Sequence, residues 1–232
     1  MKWYIYLLLL LAIASPSLAQ DATVESRTNL DMLGGGNYSA RTFDNRYKGV
    51  KGQVTILPEF VTGKIYTTDN RAAVQPKVNF DAFANELIVK RGASEYVISR
   101  NVVDRFSLWT GTDSLYFKKI INEEGKQLYY QQLVKGKVQL VKKNIKIFKE
   151  ANYSGAYSAG REHDVFLDDQ KYFMLIEGKL LLEFKNRKSI QSAFPEYAGE
   201  VDAYIKKNNL SLKDEQHLAM LFRYINEIIV KN

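Results

Sequence analysis

From residue 85 to residue 148 the chain repeats one pattern about every ten residues: a short apolar or aromatic run, then Gly or a pair of charges, then the next run. The runs are Leu87-Ile88-Val89, Tyr96-Val97-Ile98, Phe106-Ser107-Leu108-Trp109, Leu115-Tyr116-Phe117, Leu128-Tyr129-Tyr130 and Val138-Gln139-Leu140-Val141. Regular short runs rich in β-branched and aromatic residues, with turn signals between them, indicate an antiparallel sheet. The turns share a form. Glu124-Gly125-Lys126, Lys135-Gly136-Lys137 and Glu177-Gly178-Lys179 each set a single Gly between two charges. Gly supplies the positive φ of a tight hairpin, and the charges keep the turn in water. The spacing predicts that 128–134 pairs with 138–147 and 172–176 with 180–184, neighbours in a meander.

Upstream, Gln53-Val54-Thr55-Ile56-Leu57 reads as a first strand stopped by Pro58, and Lys64-Ile65-Tyr66-Thr67 as a second. Residues 74–80 read as a third, and Pro76 inside it argues for a sheet edge, where a missing N–H is tolerated. Residues 152–170 read as a long loop that interrupts the meander. After Phe184 the apolar period changes from two to about 3.6. Residues 189–194 form a short helix ended by Pro195, and Tyr197, Val201, Tyr204 and Ile205 share one face of a second, closed by Asn208-Asn209. Leu218, Leu221, Phe222, Ile225, Ile228 and Ile229 make the apolar stripe of a third. Ser211 is its expected N-cap, with Asp214 and Glu215 in the first turn. The expectation is an α+β fold: an antiparallel meander, curled or sandwich-like, with two or three C-terminal helices packed on it. It forms one domain over 53–232, mainly β over 53–186 and helical over 187–232.

The first nineteen residues are a separate device. Lys2 precedes an apolar run over 3–13, Ser15-Pro16 breaks it, and Ser17-Leu18-Ala19 offers small residues for cleavage after Ala19. No later stretch approaches the roughly twenty apolar residues of a membrane span. Residues 20–52 read as a flexible arm. Gly34-Gly35-Gly36 within it lacks the Gly-Lys-Ser/Thr of a phosphate loop. The absence of Cys from the whole sequence removes disulfides, thiolate metal sites and any thiol nucleophile.

Gly63-Lys64-Ile65-Tyr66, the segment Val78-Asn79-Phe80-Asp81-Ala82-Phe83-Ala84-Asn85-Glu86-Leu87, Tyr204-Ile205-Lys206-Lys207-Asn208-Asn209-Leu210 and the terminal Tyr224-Ile225-Asn226 occur in an order with a parallel elsewhere. The chain resembles, over roughly residues 61–228, a group of exported proteins of unknown function abundant in Bacteroidetes-type bacteria. Phe stands here at both positions where that group commonly has Tyr. The resemblance implies export and carries over no catalytic residue and no cofactor.

Two sets of residues remain as candidates for chemistry. Glu162-His163-Asp164 and Asp168-Asp169 place carboxylates and an imidazole close together, and His163, Asp164 and Asp168 are the candidate ligands for a divalent metal. Their spacing matches neither an EF-hand loop nor His-Glu-x-x-His. His217, the other histidine, sits at the edge of the last helical stripe and reads as a packing residue. There is no Gly-x-Ser-x-Gly. The second set is basic. Residues 118–149 hold nine Lys against Glu123 and Glu124, inside a chain of net charge +7. Lys137, Lys142, Lys143 and Lys146 are the candidate contacts for a polyanion, although Lys143 differs in strand parity from Lys142 and Lys146. The chain therefore reads as an exported, non-enzymatic binding or assembly protein of the periplasm, outer surface or exterior. Its expected partners are an acidic glycan, an anionic lipid or another envelope protein, and export sets nucleic acid aside. The alternative is a small metal-dependent or carboxylate-based hydrolase using residues 162–169.

Overall fold

In the computed structural model, which describes residues 38–40, 47, 49–152 and 163–231, eleven strands form a single antiparallel sheet. They are β1 (Tyr38–Ala40), β2 (Val61–Thr67), β3 (Ala72–Asp81), β4 (Glu86–Arg91), β5 (Ser94–Ile98), β6 (Val103–Trp109), β7 (Ser114–Ile121), β8 (Gln127–Val134), β9 (Val138–Lys149), β10 (Val165–Ile176) and β11 (Leu180–Phe184). The sheet is open, in the order β1-β5-β4-β3-β2-β6-β7-β8-β9-β10-β11, so from β6 onward it is a plain meander. Helices α1 (Arg187–Ala193), α2 (Ala198–Lys207) and α3 (Glu215–Lys231) follow, with one 3₁₀ turn at Pro195–Tyr197. The predicted 172–176/180–184 hairpin pairs in full, as in Phe184↔Tyr172, whereas the predicted 128–134/138–147 hairpin pairs only near its turn, from Gln131↔Lys142 to Val134↔Leu140. The three predicted turn glycines all have positive φ.

The sheet has two unlike faces. One carries both large cores. At one end Ile65, Phe80, Phe106, Phe117 and Tyr129 pack together, with the Phe106 and Phe117 rings stacked at 4.8 Å. At the other end Val138, Leu140 and Met174 meet Leu218, Leu221, Phe222, Ile225 and Ile228 of α3. The stripe read from the sequence is thus the face that docks. Asn226 fixes its position: its Oδ1 accepts from Val138 N–H at 3.0 Å, and its Nδ2 donates to Val138 C=O at 2.7 Å. Gly136 must be a glycine for this to happen, since a Cβ there would lie 2.2 Å from Asn226 Oδ1.

Five expectations change. Pro76 lies not at an edge but in β3, between β2 and β4. A bulge absorbs it: the β2–β3 register jumps from Thr62↔Lys77 to Lys64↔Val74, with Gln75 at φ 62, so Pro76 sits where no ladder bond is needed. Residues 53–57 do not form a regular strand. They make the single bridge Thr55↔Asp81, because Pro58 lacks an N–H and the Asn79 amide takes the carbonyls of Leu57 and Glu59 at 2.9 and 3.0 Å. The described parts of the segment read as an arm pair with the domain. Tyr38–Ala40 runs antiparallel to β5, and Lys51 bridges Val165 of β10. Gly52 permits that contact, since a Cβ there would stand 2.8 Å from Phe166 O. Residues 165–170, read as loop, belong to β10. Finally, the N-cap of α3 is Asp214, whose carboxylate accepts from His217 N–H at 2.9 Å, rather than Ser211.

One local event shapes the interior. β8 and β9 are paired only from Gln131↔Lys142 to Val134↔Leu140, and beyond that point they diverge. The β3–β4 turn fills the gap. Asn85 gives Tyr129 what a neighbouring strand would give it, donating to its C=O at 3.0 Å and accepting from its N–H at 2.8 Å. Phe83, on the same turn, joins Tyr47, Phe148 and Phe166 in an edge-on aromatic group with centroids 5.2–5.9 Å apart.

Candidate functional site

The long β9–β10 ribbon displays its side chains as rows, because directly opposed residues share a face. On the core face the rows run Leu140/Met174, Lys142/Tyr172, Asn144/Gln170, Lys146/Asp168 and Phe148/Phe166. A polar band therefore separates the helical core from the aromatic group. Lys142 donates to Glu215 Oε2 at 2.6 Å, and the Tyr172 hydroxyl donates to the same oxygen at 3.0 Å. This staples the first turn of α3 to the sheet. Burial, aided by the Glu215 carboxylate, pushes the Tyr172 phenol far above its usual range. Lys146 pairs with Asp168 at 2.6 Å, and the two are unequally placed: the lysine side chain is 6% exposed and the aspartate 84%. Beside them a cleft of about 420 Å³ opens, lined by Ile56, Ala82, Asn144, Ile145, Asp168, Asp169 and Gln170.

The four lysines singled out by charge density do not make one surface. Lys142 and Lys146 lie on the core face, each held by a carboxylate. Lys143 is opposite Lys171 on the other face, and Lys137 is exposed at the β8–β9 turn. The parity difference read from the sequence is real. The burial of two of them is not visible there, because it depends on α3 and on Asp168. The proposed metal ligands are also kept apart in role. Asp164 accepts from Ala151 N–H at 2.6 Å, Asp168 serves Lys146, and His163 is exposed. Glu162 lies outside the described residues. Among the described residues no three His, Asp or Glu are grouped to hold a metal ion. His217 has a structural task, its Nδ1 accepting from Ser211 N–H at 3.0 Å.

The segment 79–85 that carried the resemblance is spent on folding. Asn79 holds the carbonyls of Leu57 and Glu59, and Asn85 pairs with Tyr129. Asp81 accepts from the N–H groups of Phe83 and Ala84, both at 2.8 Å. Three buried polar side chains thus satisfy backbone groups that the irregular strands leave over.

The opposite face of the sheet gathers residues far apart in sequence. The register aligns Lys90 with Lys77, Lys77 with Thr62, Tyr66 with Arg105, Arg105 with Lys118, and Lys118 with Tyr130. One step along the strands, Lys64 aligns with Ser107 and Ser107 with Tyr116, and Trp109 follows. Aromatic rings lie under several of these cations. Arg105 sits 4.2 Å and Lys64 5.0 Å from the Tyr66 centroid, and Lys135 stands 5.3 Å from that of Tyr116. Lys90 leans on Phe60 at 5.7 Å, and Lys77 reaches the Thr62 hydroxyl at 3.4 Å. Arg105 also pairs with the exposed Asp104. Trp109 and Tyr116 remain 48% and 49% exposed. This face escapes a reading of the sequence because its cations are spread over β2, β3, β4, β6 and β7. Its signal is the shared parity of Lys64 with Tyr66, of Arg105 with Trp109 and of Tyr116 with Lys118.

Compared with protein-family models, with curated proteins and with solved structures, the chain has no match.

Proposed function

We propose that this is an exported envelope or extracellular protein that binds an acidic polysaccharide, without catalysis, on the sheet face opposite the helices. The observation that carries the reading is a pair of cross-strand rows on one face, Lys90–Lys77–Thr62 and Tyr66–Arg105–Lys118, with Lys64 on the strand between them and Trp109 and Tyr116 exposed beside them. Cations on neighbouring strands stand about 5 Å apart and repel one another, a cost that a polymer of carboxylates or sulfates removes at several positions together. Half-exposed aromatic rings offer flat apolar area for the faces of sugar rings, next to the charges that read the acidic groups. Export rests on residues 1–19, with Lys2, the apolar run over 3–13 and the small residues before Gln20. The resemblance to exported Bacteroidetes-type proteins points the same way. The hydrolase reading gains no geometric support, since Asp164 and Asp168 are engaged in the fold.

The test is binding of polygalacturonate and of a sulfated glycan from low to physiological salt, measured by calorimetry. Affinity should fall steeply as salt screens the cations. Joint replacement of Lys64, Arg105 and Lys118 by Gln should abolish binding with the melting temperature nearly unchanged. A triple variant that binds as well as the parent refutes the assignment.

A further inference from the structure

We propose that the far end of the β9–β10 ribbon is a second, separate docking surface, made to rest on an anionic lipid bilayer. On the face turned away from the helices its rows are Lys143/Lys171, Ile145/Asp169, Ile147/Leu167 and Lys149/Val165, and Lys51 flanks Val165 on its other side. The central pair is apolar and open to solvent, Ile147 and Leu167 each being 38% exposed. Single exposed apolar residues are ordinary on a protein surface. Here two stand directly opposed, with the half-buried Ile145 and Val165 beside them, and lysines close the patch at both ends.

That order matches the chemistry of an anionic membrane surface. Apolar side chains enter the boundary between headgroups and acyl chains, while ammonium groups in the adjoining rows meet lipid phosphates. Two carboxylates share this face, Asp169 and, on β11 opposite Phe173, Glu183. Asp169 sits in the Ile145 row rather than at either bracket, and it accepts from its neighbour Gln170 N–H at 2.8 Å. Lys171 also lies 3.7 Å from Glu183 on β11, so Lys51, Lys143 and Lys149 carry most of the attraction. The ribbon is rigid enough to present the patch, since twelve residues of each strand are in register. Charge complementarity selects a bilayer over a second copy of the chain, because two such patches face to face would oppose lysine rows.

The test uses the processed chain from Gln20 onward with vesicles of phosphatidylglycerol and phosphatidylethanolamine, and with vesicles of phosphatidylcholine alone, followed by sedimentation. The parent should bind the anionic vesicles and not the zwitterionic ones. Joint replacement of Ile147 and Leu167 by Ser should weaken vesicle binding by roughly tenfold or more, as expected when apolar insertion is removed. It should leave the melting temperature and polygalacturonate binding intact. Conversely, Gln at Lys64, Arg105 and Lys118 should leave vesicle binding standing, which separates this surface from the polysaccharide face. The Leu167→Trp variant supplies a direct reading, an emission blue-shifted relative to the parent with anionic vesicles alone. Equal vesicle binding by the Ser variant, an unshifted emission from the Leu167→Trp variant, or self-association through the patch without lipid would each overturn the proposal.

Discussion

Replacing Asn85 should destabilise the protein more than any other single change in the β3–β4 turn. Asn85 is buried, adopts φ 57, and bonds both backbone groups of Tyr129, a residue only 1% exposed. β9 has left β8 at this level, so no strand can replace those two bonds. Asn85→Gly removes the side chain while keeping the backbone comfortable at positive φ. It strands a buried donor and a buried acceptor, each worth about 1–3 kcal/mol unless water reaches them, for a loss of about 2–5 kcal/mol. Asn85→Ala loses the same bonds and also forces a Cβ into the left-handed region, adding about 1 kcal/mol. Urea denaturation followed by tyrosine fluorescence gives both values, and the ordering matters as much as the sizes. If the Ala variant is within about 0.5 kcal/mol of the parent, the side chain is not the surrogate strand described above, since surface changes are usually that small. If Gly costs more than Ala, the backbone part of the argument fails.

Other expectations follow from the same packing. Leu221→Ala or Ile225→Ala should cost about 2–5 kcal/mol by urea denaturation, because both side chains are fully buried between α3 and the sheet. Asp168→Ala should destabilise more than Lys146→Met, since the first strands a buried ammonium and the second removes it together with its desolvation. The difference should be about 1 kcal/mol, modest because the carboxylate itself is exposed. Tyr129 and Tyr172 are raised by burial, and Tyr130 is pushed up to about 12. Raised phenols favour the folded state fully below the unfolded value of about 10, and that contribution is lost as pH rises toward the folded values. Stability should therefore fall from about pH 10 upward, with phenolate absorbance of these three appearing only as the chain unfolds.

The meander, the glycine turns and the docked helical tail are legible because each is a local pattern: alternation, a Gly between charges, a stripe at three and four. What stays hidden depends on partners distant in sequence. Pro76 looks like an edge residue because the bulge that shelters it is set by Gly63, where a Cβ would meet Val78 and Ser107 at 2.3 and 2.5 Å. Lys142 and Lys146 look like surface charge because Glu215 lies 73 residues from Lys142, and Asp168 lies across a ribbon whose composition reads as loop. Asn79, Asp81 and Asn85 stand out in the sequence only as part of a resemblance. Their task is to satisfy backbone atoms of residues 57, 59, 83, 84 and 129, and that is fixed by tertiary structure. The basic face is the largest omission. Parity within each strand is readable, but the strand order that sets Lys64, Arg105 and Lys118 side by side is not.

The most direct test of the two-faced sheet is a chemical-shift map of the isotope-labelled protein titrated with a short oligogalacturonate at low salt. Perturbations should centre on Lys64, Tyr66, Arg105, Trp109, Tyr116 and Lys118, and should leave Lys142, Lys146 and the Asn144–Gln170 row untouched. Shifts centred on the cleft beside Asp168, with the β2–β6–β7 face silent, would contradict the assignment of the binding surface.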